Sequence, residues 1–398
     1  MNSSGHDESK PRKTETLLVT AGRNTAAQSG FVNPPVVRGS TVIYPTAGDL
    51  HAHTGEFRYA RYGTPTTKAL QQALIAIEGP HCAGVALVPS GLSAITSTLL
   101  SVLKAGDHLL VSDSIYRPSR TFCDGLLTRY GVETSYFDPL LGAGIAELFK
   151  PNTAAVMVEA PGSQTFEMPD IRAMSAVAHA RGALMIDDNT WASPLYRRAL
   201  EQGVDISMQA ATKYIGGHSD VMFGTISANA QTWPRILQTT RELGVCAGPD
   251  DVFLAMRGLR TLSVRLAQHQ RSALDIARWL ATRPEVIEVL YPALESDPGH
   301  AIWKRDFTGA SGLFSIILKP APKQAVDALL DALKLFGMGY SWGGFESLII
   351  PFDCDGYRTA TRWAPAGPAL RLHVGLENVE DLKADLELGF AAFNAAQA

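Results

Sequence analysis

The chain has 398 residues, 46% hydrophobic and 19% charged, with a formal net charge of −4. That length predicts two or three domains and a large core. The charge leaves no global basic surface, which excludes a general nucleic-acid role, and no run approaches the ~18 apolar residues of a membrane helix.

The opening "MNSSGHDESKPRKTETLLV" is polar and lacks an apolar h-region, so it does not read as a secretory signal. Its first dozen residues are expected to be mobile. From about residue 65 two patterns alternate. "TTKALQQALIAIEG" predicts a helix and "GVALVPS" a short apolar strand. "GLSAITSTLLSVLKAG" is a helix ended by Gly106, "HLLVSD" a strand and "SRTFCDGLLTRYG" a helix. "VETSYFD" and "AAVMVEAPG" are strands, and "DIRAMSAVAHARG" is a helix closed by Gly182. "ALMIDDNT" and "VMFGTISAN" are again strand-like. This alternation predicts an α/β fold with a mostly parallel sheet wrapped by helices. Further on, "DVFLAMRGLRTLSVRLAQHQRSALDIARWLATR" reads as one long crossing helix with a weak point at Gly258. "VIEVLYP", "GLFSIIL" and "LRLHVGL" are strands, and helices fall near 322–336 and 379–394. The expected organisation is an arm over 1–63, an α/β domain over 64–256 and a smaller α+β domain over 257–398. Cys82, Cys123, Cys246 and Cys354 are scattered, with no C-x-x-C pair. That argues against a zinc site or disulfide framework and for a reduced, cytoplasmic setting.

In a parallel sheet wrapped by helices, ligands bind beyond the carboxyl ends of the strands. Gly91 opens a helix there, where free N–H groups can take an anion. Tyr116 and the pair Asp187–Asp188 fall just past other strand ends. Lys213, in "QAATKYIGGHSD", follows an apolar run, although an ammonium is costly to desolvate. Each alone suits a turn, a cap or a solvated loop. Together they match pyridoxal phosphate: N–H donors for phosphate, a π-face for the ring, an acid for the ring nitrogen and a lysine for the aldehyde. No G-x-x-x-x-G-K-[ST] stretch is present, which excludes a Walker loop.

The stretches "RYGTPT", "DNTWASP", "ATKYIGGHSD", "MRGLRTLSVRL" and "LRLHVGLE" resemble the signatures of the Cys/Met-metabolism pyridoxal-phosphate enzymes, a likeness that runs from about residue 15 to 395. The resemblance implies fold type I and a carbon–sulfur-cleaving or -forming activity. It implies that Lys213 is the Schiff-base lysine, that Asp188 pairs with the ring nitrogen, and that Tyr116 stacks on the ring and assists catalysis. Gly91, Leu92 and Thr212 would bind the phosphate. The family often has an S-x-T-K arrangement; here the serine is replaced by Ala210, so Thr212 is expected to carry more of the phosphate binding. Tyr59 and Arg61 look like the pair that reaches into a neighbouring subunit's site, which implies a dimer and, in this family, usually a homotetramer. Arg371 matches the clamp of a substrate α-carboxylate. Ser341 and Trp342 in "YSWGGFES", Ser163 in "EAPGS", "YRPS", and "LIIPFDCD" without a His-Pro-Ala stretch resemble the branch that eliminates at Cβ of L-cystathionine, in methionine biosynthesis. A γ-acting relative remains the alternative. His218 and Asp187 are expected to be structural.

Overall fold

A computed structural model describes residues 12–397. The mobility expected of the opening dozen residues lies outside that range except for residue 12. Seven strands build the larger sheet: β1 (Gly84–Val88), β2 (His108–Ser112), β3 (Glu133–Phe137), β4 (Thr153–Glu159), β5 (Leu184–Asp188), β6 (Ile206–Gln209) and β7 (Gly224–Ala228). Their order is β1-β7-β6-β5-β4-β2-β3. The run from β3 to β6 is parallel, as the alternation predicts. β7 is antiparallel to both its neighbours, so the sheet is mixed at one side. A second, antiparallel sheet has the order β10-β11-β9-β8, from β8 (Val286–Leu290), β9 (Leu313–Leu318), β10 (Leu348–Phe352) and β11 (Ala369–His373). Among the described residues, no helix is long and apolar enough to cross a membrane.

Local chemistry explains the helices that frame the strand ends. Thr64 caps the helix Pro65–Glu78 in a reciprocal capping box with Thr67, and Pro65 occupies its first turn. Ser90 caps the helix Gly91–Val102, its hydroxyl accepting the Ser93 N–H at 3.0 Å. The expected long helix is two, Pro249–Arg260 and Leu262–Leu280, broken at Thr261. Gly258 is instead a point of close approach: a Cβ there would stand 2.2 Å from the carbonyl oxygens of Ile215 and Gly216. The predicted helix after Tyr116 runs from Arg117 to Phe122 and then widens into a π-turn over Cys123–Leu127.

The larger sheet buries both faces, which is why its strands read as apolar runs. Ala94, Ile95, Leu99 and Ile236 cover one face. The other face shares one core with the antiparallel sheet, through residues such as Tyr214, Tyr291 and Phe314. Hydrogen bonds join the two sheets at their junction. The Trp191 indole, past the end of β5, donates to the Leu313 carbonyl at 2.9 Å. The Tyr214 hydroxyl accepts the Gly312 N–H, also at 2.9 Å.

One acid is buried in that shared core. Glu78 accepts from Gln209 at 3.0 Å and Ser227 at 2.8 Å through Oε1, while Oε2 has no partner. Burial pushes its pKa up to about 7, against these hydrogen bonds. The folded chain therefore holds a proton that the unfolded chain releases above about pH 4.5, and stability falls as pH rises toward 7. Glu78→Gln removes that loss. Its stability is expected to gain on the parent between pH 4.5 and 7, by up to about 3 kcal/mol, and to run parallel above. Thermal unfolding across this range checks it; a constant difference contradicts it.

Candidate active site

β5 delivers Asp188 to the carboxyl edge of the sheet. Its carboxylate accepts the Thr190 N–H at 3.0 Å and the Thr190 hydroxyl, and Thr190 Oγ1 in turn accepts the Ala210 N–H at 2.9 Å. Burial raises the Asp188 pKa; the Thr190 bonds and the Lys213 charge oppose it. Asp187 points to the opposite face, where it pairs with buried Arg197 at 2.9 Å, a scaffold role.

Lys213 sits on the turn after β6, its N–H bonded to the Ala210 carbonyl at 3.0 Å. Its Nζ donates to Ser341 Oγ at 2.5 Å and lies 5.2 Å from the Trp342 ring centroid. Burial first, and the Arg371 cation second, lower its pKa to about 8, with Asp188 pulling the other way. The opposite wall comes from the antiparallel sheet. β11 carries Arg371, whose Nη2 donates to the Ser341 carbonyl at 3.1 Å and whose pKa is lowered to about 10 by burial. Neither Lys213 nor Arg371 has an ion-pair partner among the described residues. The cleft thus holds two cations with no direct ion-pair partner, an arrangement that suits an anionic ligand.

The loop bearing Ser341 and Trp342 presses on the lysine's backbone. A Cβ on Gly343 would fall 2.9 Å from Lys213 Cα, and Gly343 has φ +89°. Ser341 itself has φ +86°, a left-handed conformation that non-glycine residues adopt only under constraint. The Gly343 N–H donates to His373 Nε2 at 3.1 Å, while His373 Nδ1 faces the Glu346 carbonyl at 3.1 Å. Burial holds the His373 pKa well below its usual value, so it is neutral with its proton on Nδ1. Trp342 packs on Tyr214 with centroids 5.4 Å apart, and Tyr214 stacks in turn against His269 and His373.

Tyr116 follows β2 with its side chain 44% exposed. Its N–H donates to Glu159 Oε2 at 2.7 Å. Burial, then Glu159 and Asp188, raise the phenol's pKa, so it is neutral in this state. Gly91 starts its helix against the Lys213 turn: a Cβ on Gly91 would stand 2.5 Å from Ala210 Cβ. Leu92 is the next residue of that first turn.

The structure brings together Lys213, Asp188, Tyr116, Arg371, Ser341, Trp342 and the Gly91–Leu92 turn. Three expected residues stand otherwise. The Thr212 hydroxyl donates to the Phe223 carbonyl at 3.0 Å and accepts the Phe223 N–H at 2.9 Å, so its proton is already engaged. Tyr59 packs edge-on to Tyr62, and Arg61 donates to the Arg241 carbonyl at 2.8 Å and covers the Tyr62 ring. Neither contacts the Lys213 cleft within one chain. Ser163 is tied by its N–H to the Ser114 carbonyl at 2.8 Å. His218 faces the Gly216 carbonyl at 2.8 Å, closing a turn. The sequence reading missed Glu159, Thr190 and His373. The first ends β4 beside Asp188, a position that the "VMVEA" run marks.

The donor set fits pyridoxal phosphate: a helix start for phosphate, a buried acid, an aromatic plate and a desolvated lysine. No group of acids, cysteines and histidines that could hold a metal occurs among the described residues. This platform and its facing arginine define a fold type I pyridoxal-phosphate enzyme. The family model described as "Cys/Met metabolism PLP-dependent enzyme" matches residues 15–391, and the chain belongs to that family. It is 52% identical over 384 residues, 96% of both chains, to a protein of Rhizobium johnstonii provisionally named a cystathionine beta-lyase. It is 46% identical to the cystathionine beta-lyase of Salmonella typhimurium, over 96% of this chain and 98% of that one. Among solved structures, a cystathionine gamma synthase from Xanthomonas oryzae pv. oryzae superposes with a TM-score of 0.89 at 32% identity, covering 97% and 100% of the two chains.

Two outcomes test the site. Lys213→Ala is expected to fold yet lose the absorbance of the lysine-bound cofactor, together with nearly all turnover. Gly91→Ala is expected to weaken cofactor binding by at least tenfold, because its new Cβ meets Ala210. Adding Ala210→Gly removes the nearest contact, that with Ala210 Cβ, and is expected to restore part of that affinity, measured by cofactor titration.

Proposed function

We propose that the protein is a cystathionine β-lyase, which uses pyridoxal phosphate to convert L-cystathionine and water into homocysteine, pyruvate and ammonia. The observation that carries this reading is the pair of unpartnered cations, Lys213 and Arg371, held across Ser341 beside the Trp342 wall. The names of the relatives from Rhizobium and Salmonella support the β-acting branch. The cofactor, when bound, supplies an electron sink for the pair left at the substrate's Cα.

The remaining steps belong to the protein's own side chains. Gly91 and Leu92 N–H groups would hold the phosphate, and the Ser90 hydroxyl, whose proton its capping bond leaves free, replaces the donor lost at Ala210. Thr212 joins only if its hydroxyl turns from Phe223. Asp188, held by its bonds to Thr190, would pair with the ring nitrogen, and Tyr116 would cover the ring. Arg371 grips the α-carboxylate in a two-pronged bond and so aligns the Cα–H bond. Lys213 Nζ, lowered toward neutrality and aimed by Ser341 Oγ, takes the Cα proton. Trp342 forms a wall for the distal arm of the substrate and excludes water from Nζ.

We read Tyr59 and Arg61 as completing a neighbouring subunit's site in a homotetramer built from dimers. Their region supports this: Phe31, Ile43, Tyr59 and Tyr62 are exposed apolar side chains on the segment ahead of the first long helix. The two separate sheets support the division into an arm, a cofactor domain to residue 256 and an α+β domain from 257. The four free cysteines, three of them buried, suit the cytoplasm.

Product analysis tests the reaction. Incubation with L-cystathionine is expected to release pyruvate and homocysteine; 2-oxobutyrate and cysteine in their place would assign γ-elimination and refute this reading. Arg371→Ala is expected to raise KM by about 10- to 100-fold, the worth of a charge-assisted pair. An unchanged KM removes Arg371 from the substrate.

A further inference from the structure

Loops from both sheets meet around one buried carboxylate. Asp113 follows β2, just before Tyr116, and is fully buried. Its Oδ1 accepts the Thr359 N–H at 3.1 Å. Its Oδ2 accepts the N–H groups of Ala360 and Thr361 at 3.0 and 2.7 Å, and the Thr361 hydroxyl at 2.8 Å. The buried Arg120 guanidinium completes an ion pair with Oδ1 and lies over the Tyr136 ring. Thr359, Ala360 and Thr361 belong to the connection between β10 and β11, and β11 carries Arg371.

The same connection is fastened at two more points. Arg358 pairs with Glu167 at 2.6 Å and donates to Thr165, both on the loop after β4. The Arg117 guanidinium, next to Tyr116, stands 5.2 Å from the Tyr357 ring centroid. The loop after β4 is itself locked to the Tyr116 loop. The Ser163 N–H donates to the Ser114 carbonyl at 2.8 Å, and a Cβ on Gly162 would fall 2.6 Å from Ser114 Cβ.

An amino-acid substrate in this cleft is held from two sheets at once. Its carboxylate goes to Arg371 on β11, while its Cα must face Lys213 and Tyr116 at the edge of the larger sheet. Misplacement of about 1 Å between such groups costs on the order of 100-fold in rate. We infer that Asp113, with Arg120 and Arg358, is a positioning device that fastens the β10–β11 connection to the Tyr116 loop and so sets the spacing between Arg371 and Tyr116. This rests on Arg371 as the carboxylate clamp proposed above, and it adds residues that touch neither substrate nor cofactor.

Glycine is a suitable probe, because it carries the α-amino and α-carboxylate groups but no thioether to cleave. Its Kd for the holoenzyme is read by calorimetry and by the shift in cofactor absorbance. Asp113→Asn and, separately, Arg358→Met are expected to raise that Kd about tenfold with the absorbance of the lysine-bound cofactor unchanged. In an Arg371→Lys background, where the two-pronged bond is already lost, each is expected to change Kd less than twofold. Equal losses in both backgrounds, or an unchanged Kd in Arg358→Met, overturn the positioning role. Arg358→Met leaves every bond to Asp113 in place, so it decides the matter if Asp113→Asn does not fold. Because glycine binding needs no elimination, a protein that binds it as expected but releases no pyruvate from L-cystathionine sinks the β-lyase reading alone.

Discussion

The site depends on a lysine denied the environment that an ammonium ion needs. Lys213 Nζ has a hydroxyl from Ser341, the face of Trp342 and the repelling charge of Arg371, while Asp188 is occupied by Thr190. Burial penalises the charged form, and the Asp188 charge offsets only part of that penalty. The amine therefore titrates near about 8, where it can act as both nucleophile and base at ordinary pH. Much of the surrounding architecture serves to keep that environment closed. Gly343 lies against the lysine's backbone, and His373 stays neutral and accepts the Gly343 N–H, so the covering loop adds no third charge.

The second constraint is that the site has two owners. The parallel strands supply Asp188, Tyr116 and Lys213 at their carboxyl ends, as switch-point geometry directs. The antiparallel sheet supplies Arg371, Ser341 and Trp342. A substrate carboxylate neutralises the excess positive charge and bridges the two sheets, so binding and alignment become one event. The Trp191 and Tyr214 bonds fix the floor of that junction, and the Asp113 cluster fastens its rim.

Local periodicity made most of this legible. Runs such as "ALMIDD" and "HLLVSD" are strands buried on both faces, and burial on both faces is what removes polar alternation. Lys213, Asp188, Tyr116 and Gly91 were readable because each follows such a run. Features that depend on contacts between distant segments were not. β10 was hidden because Pro351 interrupts it, which an edge strand tolerates. The break at Thr261 follows no proline or glycine stop. The roles of Glu159 and His373 and the Asp113 cluster pair residues far apart in the chain, and the commitment of Thr212 to Phe223 is made across the connection from β6 to β7. Tyr59 and Arg61 lie outside the cleft of their own chain, so only a second subunit could give them the role that the family resemblance implies.

The central claim is that the fold itself lowers the Lys213 amine toward neutrality before any substrate arrives. The direct measurement is the pH dependence of the rate at which the cofactor-stripped protein attaches pyridoxal phosphate. The rate is predicted to rise with a midpoint near 8. A midpoint near 10.5, the value of an ordinary lysine, would contradict the account.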